Sequence, residues 1–182
     1  MMLDQDKLVK QNGYLEGAIE SVDADTSARA IDYNKSVLQT YNTINPDKID
    51  FRMAWEEFYV TRKYDGELNV IFFDSGVCAV INRSGRVRTG LKCTDEAAKL
   101  LTDAGIKQAI IPAEMYVDES KKRTRVFNVL KAYADEDMSK SLCLAPFDIL
   151  EIDGALPKIK SYGDIHAKLK EIFKDGICQP VR

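Results

Sequence analysis

The chain has 182 residues, of which 45% are apolar and 30% are charged, and this balance excludes an intrinsically disordered or low-complexity protein. Its formal net charge is -3, so any contact with nucleic acid must come from a local patch and not from an overall positive field. No segment approaches the roughly 18 apolar residues of a membrane span, and the N-terminus lacks the basic and apolar regions of a signal peptide. We therefore expect neither a membrane span nor a signal peptide.

The cysteines are far apart in the sequence and form no CxxC pair. They are Cys78, Cys93, Cys143 and Cys178. This spacing suggests neither a zinc site nor a disulfide framework. It is typical of a protein from a reducing, cytoplasmic compartment.

The composition changes near residue 50. Residues 1–50 are more polar and predict an N-terminal accessory arm, whereas residues 51–182 predict one domain without repeats or a linker. Runs rich in β-branched and aromatic residues predict strands at 58–63, 68–73 and 77–82. A turn-like Asp-Ser-Gly at 74–76 joins the last two, so we expect an antiparallel meander.

The remaining elements alternate between helices and strands. Thr94 as N-cap, an acidic first turn, apolar positions up to Leu101 and a final Gly105 predict a helix. Apolar runs predict strands at 109–117 and 142–152, and helical patterns cover 126–133 and 165–173. The expected fold class is α+β, with antiparallel sheets and flanking helices.

The first chemical feature is the run Lys63-Tyr64-Asp65-Gly66, between two predicted strands. A hairpin corner that needs a glycine explains this run without any chemistry. Alternatively, a lysine held in a partly desolvated pocket loses its proton more easily and becomes an amine nucleophile. The run alone leaves both readings open.

Three further elements follow in a fixed order and make the chain similar to a known family. They are Asn82-Arg83-Ser84-Gly85, then Glu114 on an apolar strand, then Phe147-Asp148-Ile149-Leu150 with Asp153-Gly154 behind it. Together with Lys63-x-Asp65-Gly66, this order resembles the ATP-dependent DNA ligases, a family of covalent nucleotidyltransferases. The resemblance covers residues 57–154.

The resemblance implies an ATP-grasp-like nucleotidyltransferase domain that uses ATP and Mg²⁺ on a nicked DNA or RNA duplex. Lys63 would attack ATP and carry AMP, which then passes to the 5′-phosphate at the nick. Arg83 suits phosphate or ribose contact, because its planar fork of donors matches anionic oxygens. Its simpler interpretation is a solvated hairpin arginine.

The other implied nucleotide-binding residues also have plainer interpretations. Glu114 would bind ribose or Mg²⁺, since a carboxylate among apolar neighbours needs partners, or it is a strand-end glutamate facing water. Phe147 would stack on adenine, or it packs in the core. Thr61 would share a strand face with Lys63 and touch the adenine edge, while Asp65 and Gly66 complete the first motif.

Departures from the family pattern keep other functions open. Leu68 stands where DNA ligases commonly have arginine, and the run Lys-Tyr-Asp-Gly-Glu-Leu is closer to some RNA ligases. Thr61 replaces a common glutamate, and Asn82 replaces a serine. The alternatives are therefore an RNA ligase, a GTP-using RNA-capping guanylyltransferase, and a non-catalytic module that binds nucleotide or nucleic acid.

The family's later Glu-Gly-apolar-apolar-Lys and Lys-x-Lys motifs are not recognised after Leu150. Lys158-Ile159-Lys160 follows Phe147 too closely and is interpreted as a solvated loop. We expect an incomplete domain whose parent chain adds these motifs and an oligonucleotide-binding barrel. His166 is expected on the polar side of its helix, and the basic cluster at 121–123 with Arg125 is either a backbone-binding patch or a solvated loop.

Overall fold

Six antiparallel strands form the sheet in the part of the chain that the computed structural model describes, residues 45–48, 59–83, 85–118, 125–155 and 161–182. The strands are β1 (Glu67–Asp74), β2 (Val77–Asn82), β3 (Val87–Arg88), β4 (Gln108–Val117), β5 (Leu142–Pro146) and β6 (Glu151–Ile152). Their order is β3-β2-β1-β4-β5, and β6 pairs with the other end of β4. The expected α+β class with antiparallel pairing is confirmed.

The hairpin between β1 and β2 forms where the sequence predicts it. Asp74 pairs with Val77, and the two residues between them, Ser75 and Gly76, both have positive φ, 49° and 93°. Two left-handed residues match the right-handed twist of the flanking strands. The predicted turn therefore fixes the register of the meander.

Within the described residues, four helices and one short 3-10 turn accompany the sheet. The helices are α1 (Lys92–Asp103), α2 (Val126–Ala132), α3 (Glu136–Ser139) and α4 (Tyr162–Ile172), and the 3-10 turn is Pro46–Lys48. The helical predictions at 94–105, 126–133 and 165–173 are confirmed. Gly105, with φ of 74°, follows the last turn of α1 as expected.

The predicted N-cap of α1 is wrong. Leu91 holds that position, and Thr94 is the third residue of the helix. The Thr94 hydroxyl reaches back, accepting a hydrogen bond from the Leu91 N–H at 2.9 Å and donating to the Leu91 carbonyl at 2.7 Å. The threonine thus closes the first turn from inside the helix.

The predicted strand at 58–63 is also wrong, because residues 59–65 form no strand and β1 begins at Glu67. Within this segment, the Arg62 N–H donates to the carbonyl of Arg182 near the other end of the described chain. Thr61 therefore does not share a strand face with Lys63, since side-chain alternation requires an extended strand.

The predicted strand at 142–152 is divided into two. β5 ends at Pro146, which lacks an N–H for the ladder. The Asp148 carboxylate then accepts a hydrogen bond from the Ile149 N–H at 2.8 Å, and the chain returns to β4 as β6. A continuous apolar run thus contains a turn.

Apolar side chains cover both faces of the sheet. The larger cluster packs the sheet against the helices and includes Ile71, Val80, Leu101, Leu144 and Phe173. A smaller cluster on the opposite face includes Val70, Phe72, Ile81 and Ile110. Successive residues of β1 therefore alternate between two buried faces.

The segment after α4 runs beside β5. Leu144 donates its N–H to the Ile177 carbonyl at 3.1 Å, and Gln179 and Val181 donate to Leu144 and Pro146, each at 3.0 Å. His166 Nε2 lies 2.7 Å from the Val181 carbonyl, and the residue is partly buried. His166, expected on the polar side of its helix, therefore also contacts this segment.

Some predictions fall outside the described residues. These are most of the arm at 1–50, Ser84, the basic run at 121–123 and the lysines at 158 and 160. Arg125 is described and is exposed. No helix among the described residues has the length and apolar character needed to cross a membrane.

Candidate functional site

Gly66 and Glu114 bring the first and third sequence motifs together. The register pairs Leu68 with Glu114 across β1 and β4, and the Gly66 N–H donates to Glu114 Oε1 at 3.0 Å. A Cβ at Gly66 would lie 2.1 Å from the Met115 carbonyl oxygen. Glycine is therefore required for this close approach of the two backbones.

Glu114 is a half-buried carboxylate in a mixed electrostatic environment. Burial raises its pKa above the usual range, and the charges of Asp65 and Glu67 act in the same direction. The Gly66 hydrogen bond and the charge of Lys63 oppose that rise in pKa. Lys63 therefore lies near enough to Glu114 to stabilise its ionised form.

Lys63 itself is exposed, as is Asp65, whereas Thr61 is half-buried. The sequence predicted a partly desolvated pocket around the lysine, and its exposed side chain does not show that desolvation. The chain places the lysine three residues before Gly66, next to the Gly66–Glu114 contact. Its nearness to this contact, and not its burial, is what the structure shows.

Arg83 is exposed in the turn that joins β2 to β3. Asn82 closes this turn, because its N–H donates to the Arg86 carbonyl at 3.1 Å and its carbonyl accepts from the Gly85 N–H at 2.9 Å. Since Asn69 pairs with Asn82, the turn lies at the end of the sheet where β1 begins. Arg83 and Gly66 therefore share one end of the sheet.

Phe147 follows β5 directly and lies level with the middle of β4, about four residues into the sheet from that end. Its N–H donates to the Pro112 carbonyl at 3.1 Å, two residues before Glu114 on β4. The Phe147 side chain is half-buried, whereas Ile149 is buried in the core. Ile149, and not Phe147, is therefore the core residue that follows β5.

Two groups of residues near this site were not predicted from the sequence. One surrounds Glu67, whose carboxylate accepts hydrogen bonds from Asn82, Arg88 and Tyr133. The other stacks Tyr64 on Tyr116 with centroids 4.4 Å apart, and the Arg62 guanidinium lies 4.9 Å from the Tyr64 ring. No single motif contains either group, because their members lie on different strands, in the segment before β1 and at the end of α2.

A magnesium ion is compatible with the Glu114 carboxylate. Mg²⁺ usually keeps several waters and takes only one or two protein carboxylates together with substrate phosphates. Glu114 has one oxygen bound to Gly66 and is partly desolvated, which favours a cationic partner. Among the described residues, no group of three or more His, Cys, Asp and Glu forms a ready metal cluster.

Comparison with known families gives a match over most of the chain. The model of the ATP dependent DNA ligase domain matches residues 39–179. The chain belongs to this family. The resemblance carried by the four motifs is thereby confirmed.

Solved structures support the ligase-domain fold. The ligase domain from M. tuberculosis LigD is similar with a TM-score of 0.53 and 20% identity over 67% of this chain. A mycobacterial DNA ligase D complexed with ATP and MES gives a TM-score of 0.51 and 21% identity over 66%. The chain spans 38% of the length of each of these proteins. Among curated proteins, no sequence matches this ligase-family chain significantly.

Proposed function

We propose that this chain supplies the adenylation domain of an ATP-dependent DNA ligase. The observation that carries the proposal is the hydrogen bond from the Gly66 N–H to Glu114 Oε1, 3.0 Å long. It joins the motif that contains Lys63 to the strand that contains the acidic residue. The family match over residues 39–179 supports the same chemistry.

In the proposed first step, the neutral Lys63 amine attacks the α-phosphorus of ATP. A nitrogen–phosphorus bond forms, the bond between the α-phosphorus and the pyrophosphate oxygen breaks, and the attacking nitrogen loses one proton to solvent. The products are a lysyl-AMP adduct and pyrophosphate. In the second step the AMP passes to the 5′-phosphate at a nick in DNA, which frees Lys63.

The surrounding residues are proposed to bind and orient the nucleotide. Arg83 contacts phosphate or ribose, and Phe147 stacks on the adenine ring. Glu114 holds ribose hydroxyls or a Mg²⁺ ion, which when bound neutralises charge on the departing pyrophosphate. Thr61, Asp65 and Gly66 line the nucleotide beside Lys63.

The domain limits and the setting of the protein are proposals as well. We assign residues 1–50 to an accessory arm and 51–182 to the adenylation domain. All four cysteines are free and buried, which supports a reducing, cytoplasmic compartment.

RNA is the second candidate substrate, and one residue favours it. Leu68 takes the position where DNA ligases commonly have arginine, and it pairs with Glu114 in the sheet. An apolar side chain there removes a cation from the face of the sheet that bears Glu114. Parallel assays on nicked DNA and nicked RNA duplexes, with a polypeptide extended beyond residue 182, would distinguish the two substrates.

The first step can be tested directly with α-labelled ATP and Mg²⁺. We expect an acid-labile adduct on the protein that is lost in Lys63→Ala and kept in Lys92→Ala, a control for another exposed lysine. Labelling by GTP in place of ATP would favour the guanylyltransferase alternative. Undiminished labelling of Lys63→Ala would exclude Lys63 as the nucleophile.

A further inference from the structure

Glu67, the first residue of β1, lies at the centre of a polar cluster that also contains Asn82, Arg88 and Tyr133. Its Oε1 accepts a hydrogen bond from Asn82 Nδ2 at 2.7 Å, and its Oε2 accepts from the Tyr133 hydroxyl at 2.6 Å. The Arg88 guanidinium lies 3.3 Å from Oε2. Glu67 pairs with Met115 and not with Glu114, so the two carboxylates lie on opposite faces of the sheet.

This cluster is shielded from water. Asn82 and Arg88 are 4% and 5% exposed, and the Glu67 side chain is 16% exposed. Arg88 also stacks on the Tyr133 ring at 3.6 Å from its centroid. Burial raises the pKa of Tyr133, so the hydroxyl stays protonated and donates. A half-buried carboxylate with several donors holds each of them in a defined orientation.

The cluster determines which way the Asn82 carboxamide points. An ionised carboxylate only accepts hydrogen bonds, so Asn82 must turn its Nδ2 toward Glu67. Its Oδ1 then faces the other way and accepts from the Arg86 N–H at 3.0 Å. This side-chain hydrogen bond and the two backbone hydrogen bonds between Asn82 and residues 85 and 86 fix the turn that contains Arg83.

We propose that Glu67 is a positioning residue that fixes the 82–86 turn, and through it Arg83, relative to Lys63 and Glu114. The Arg83 part of this inference rests on the proposed function, in which Arg83 contacts the nucleotide. Glu67 follows Gly66 directly, so one end of β1 contacts Glu114 on one face and the Arg83 turn on the other. No residue of the cluster needs to touch ATP.

The structural part is tested by amide hydrogen exchange on the 182-residue chain. In Glu67→Gln the new amide N–H₂ competes with Asn82 for the same position, so Gly85 and Arg86 should exchange about tenfold faster. The amide of Ile71, in the centre of β1 between two partner strands, should keep its protection. Glu136→Gln, the same change at an exposed position, should leave the turn unchanged. Unaltered exchange at Gly85 and Arg86 would overturn the proposal.

A second variant decides the question if Glu67→Gln does not fold. Asn82→Ser removes the carboxamide and keeps a small polar side chain, so the Arg86 amide should lose its protection while β4 keeps its own. Full protection of Arg86 in Asn82→Ser would show that the carboxamide does not hold the turn, and the inference would fail.

The functional part is tested by ATP affinity in a double-mutant cycle. Glu67→Gln should weaken ATP binding about threefold to tenfold, and should weaken it no further when Arg83 is already alanine. Losses that multiply would show that Glu67 does not act through Arg83. If the parent chain binds no ATP, the proposed function fails for this chain, while the exchange experiment still decides the role of Glu67.

Discussion

The backbone N–H of Gly66 and the carboxylate of Glu114, 48 residues apart in sequence, form a hydrogen bond of 3.0 Å. Few local features of either segment predict this contact. It depends on the register between β1 and β4, which places the beginning of one strand against the later half of the other. Mutations of Gly66 and Glu114 therefore test this contact directly.

Gly66→Ala should damage both the fold and the candidate site. The new Cβ would lie 2.1 Å from the Met115 carbonyl oxygen, so the two strands must separate, at a cost of about 1–3 kcal/mol. Denaturant unfolding measures that loss, and adenylation should fall with it. The control is Gly90→Ala, whose Cβ would meet no atom within 4 Å; it should lose stability through its positive φ but keep adenylation. Equal adenylation in both variants would contradict a requirement for close approach at Gly66.

Glu114→Ala and Glu114→Gln should lower adenylation by at least about 10- to 100-fold, the loss typical even of residues that only orient a metal ligand. Neither change should unfold the domain, because removing a half-buried charge need not be destabilising. The glutamine variant keeps an acceptor for the Gly66 N–H. Activity equal to that of the parent would leave Glu114 only the structural role of accepting the Gly66 hydrogen bond.

The pH dependence of stability should reveal the same carboxylate. Burial raises the pKa of folded Glu114 above its ordinary 4.5, so the folded state binds this proton more tightly than the unfolded state. Its contribution to stability is therefore present below about pH 4.5 and lost as the pH rises through the folded pKa. The stability of Glu114→Gln minus that of the parent should increase across that window. A difference that is constant with pH would contradict the assigned shift.

Glu96 holds the segment after α4 in place. Its Oε1 accepts from the N–H groups of Ile177 and Cys178 at 2.7 and 2.9 Å. Glu96→Ala should lower the free energy of unfolding by about 1.5–3 kcal/mol, since two donors lose a charged acceptor. Asp95→Ala, the neighbouring exposed acid, is the control, and thermal or urea unfolding is the measurement. Equal stability of the two variants would refute a role for Glu96.

The 182-residue polypeptide, tested as it stands, should bind ATP without sealing a nick efficiently. Sealing requires three steps that each build charge on phosphate oxygens, and the later lysine motifs of the family are not recognised in this sequence. A polypeptide extended beyond residue 182, on nicked DNA and nicked RNA duplexes, is the comparison. Sealing by the shorter chain at the rate of the longer one would show that the site is already complete.

The sequence predicted those parts of the fold that depend on local patterns. Alternation and the Asp-Ser-Gly turn were sufficient for the β1–β2 hairpin, and the apolar periodicity was sufficient for α2 and α4. The segment at 58–63 has strand-like composition, but Arg62 forms its backbone hydrogen bond with Arg182 instead of a ladder. Propensity cannot identify a partner so distant in sequence.

The candidate site was predicted through motif order, and the remaining residues were missed for a related reason. Lys63, Arg83 and Glu114 could be matched to a family pattern one by one. Glu67, in contrast, gains its role from Asn82, Arg88 and Tyr133, which lie on two other strands and beyond a helix. Nothing in the immediate neighbourhood of Glu67 distinguishes it from an ordinary solvated glutamate.

The hydrogen bond between Arg62 and Arg182 has a consequence for how the domain is made on the ribosome. The β1–β2 hairpin contains neighbouring strands and can close early in synthesis. The segment that carries Lys63 instead forms its backbone hydrogen bond with Arg182, which is synthesised much later. Contacts between residues so far apart in sequence form late. The surroundings of Lys63, the proposed nucleophile, should therefore take shape after the β1–β2 hairpin has folded.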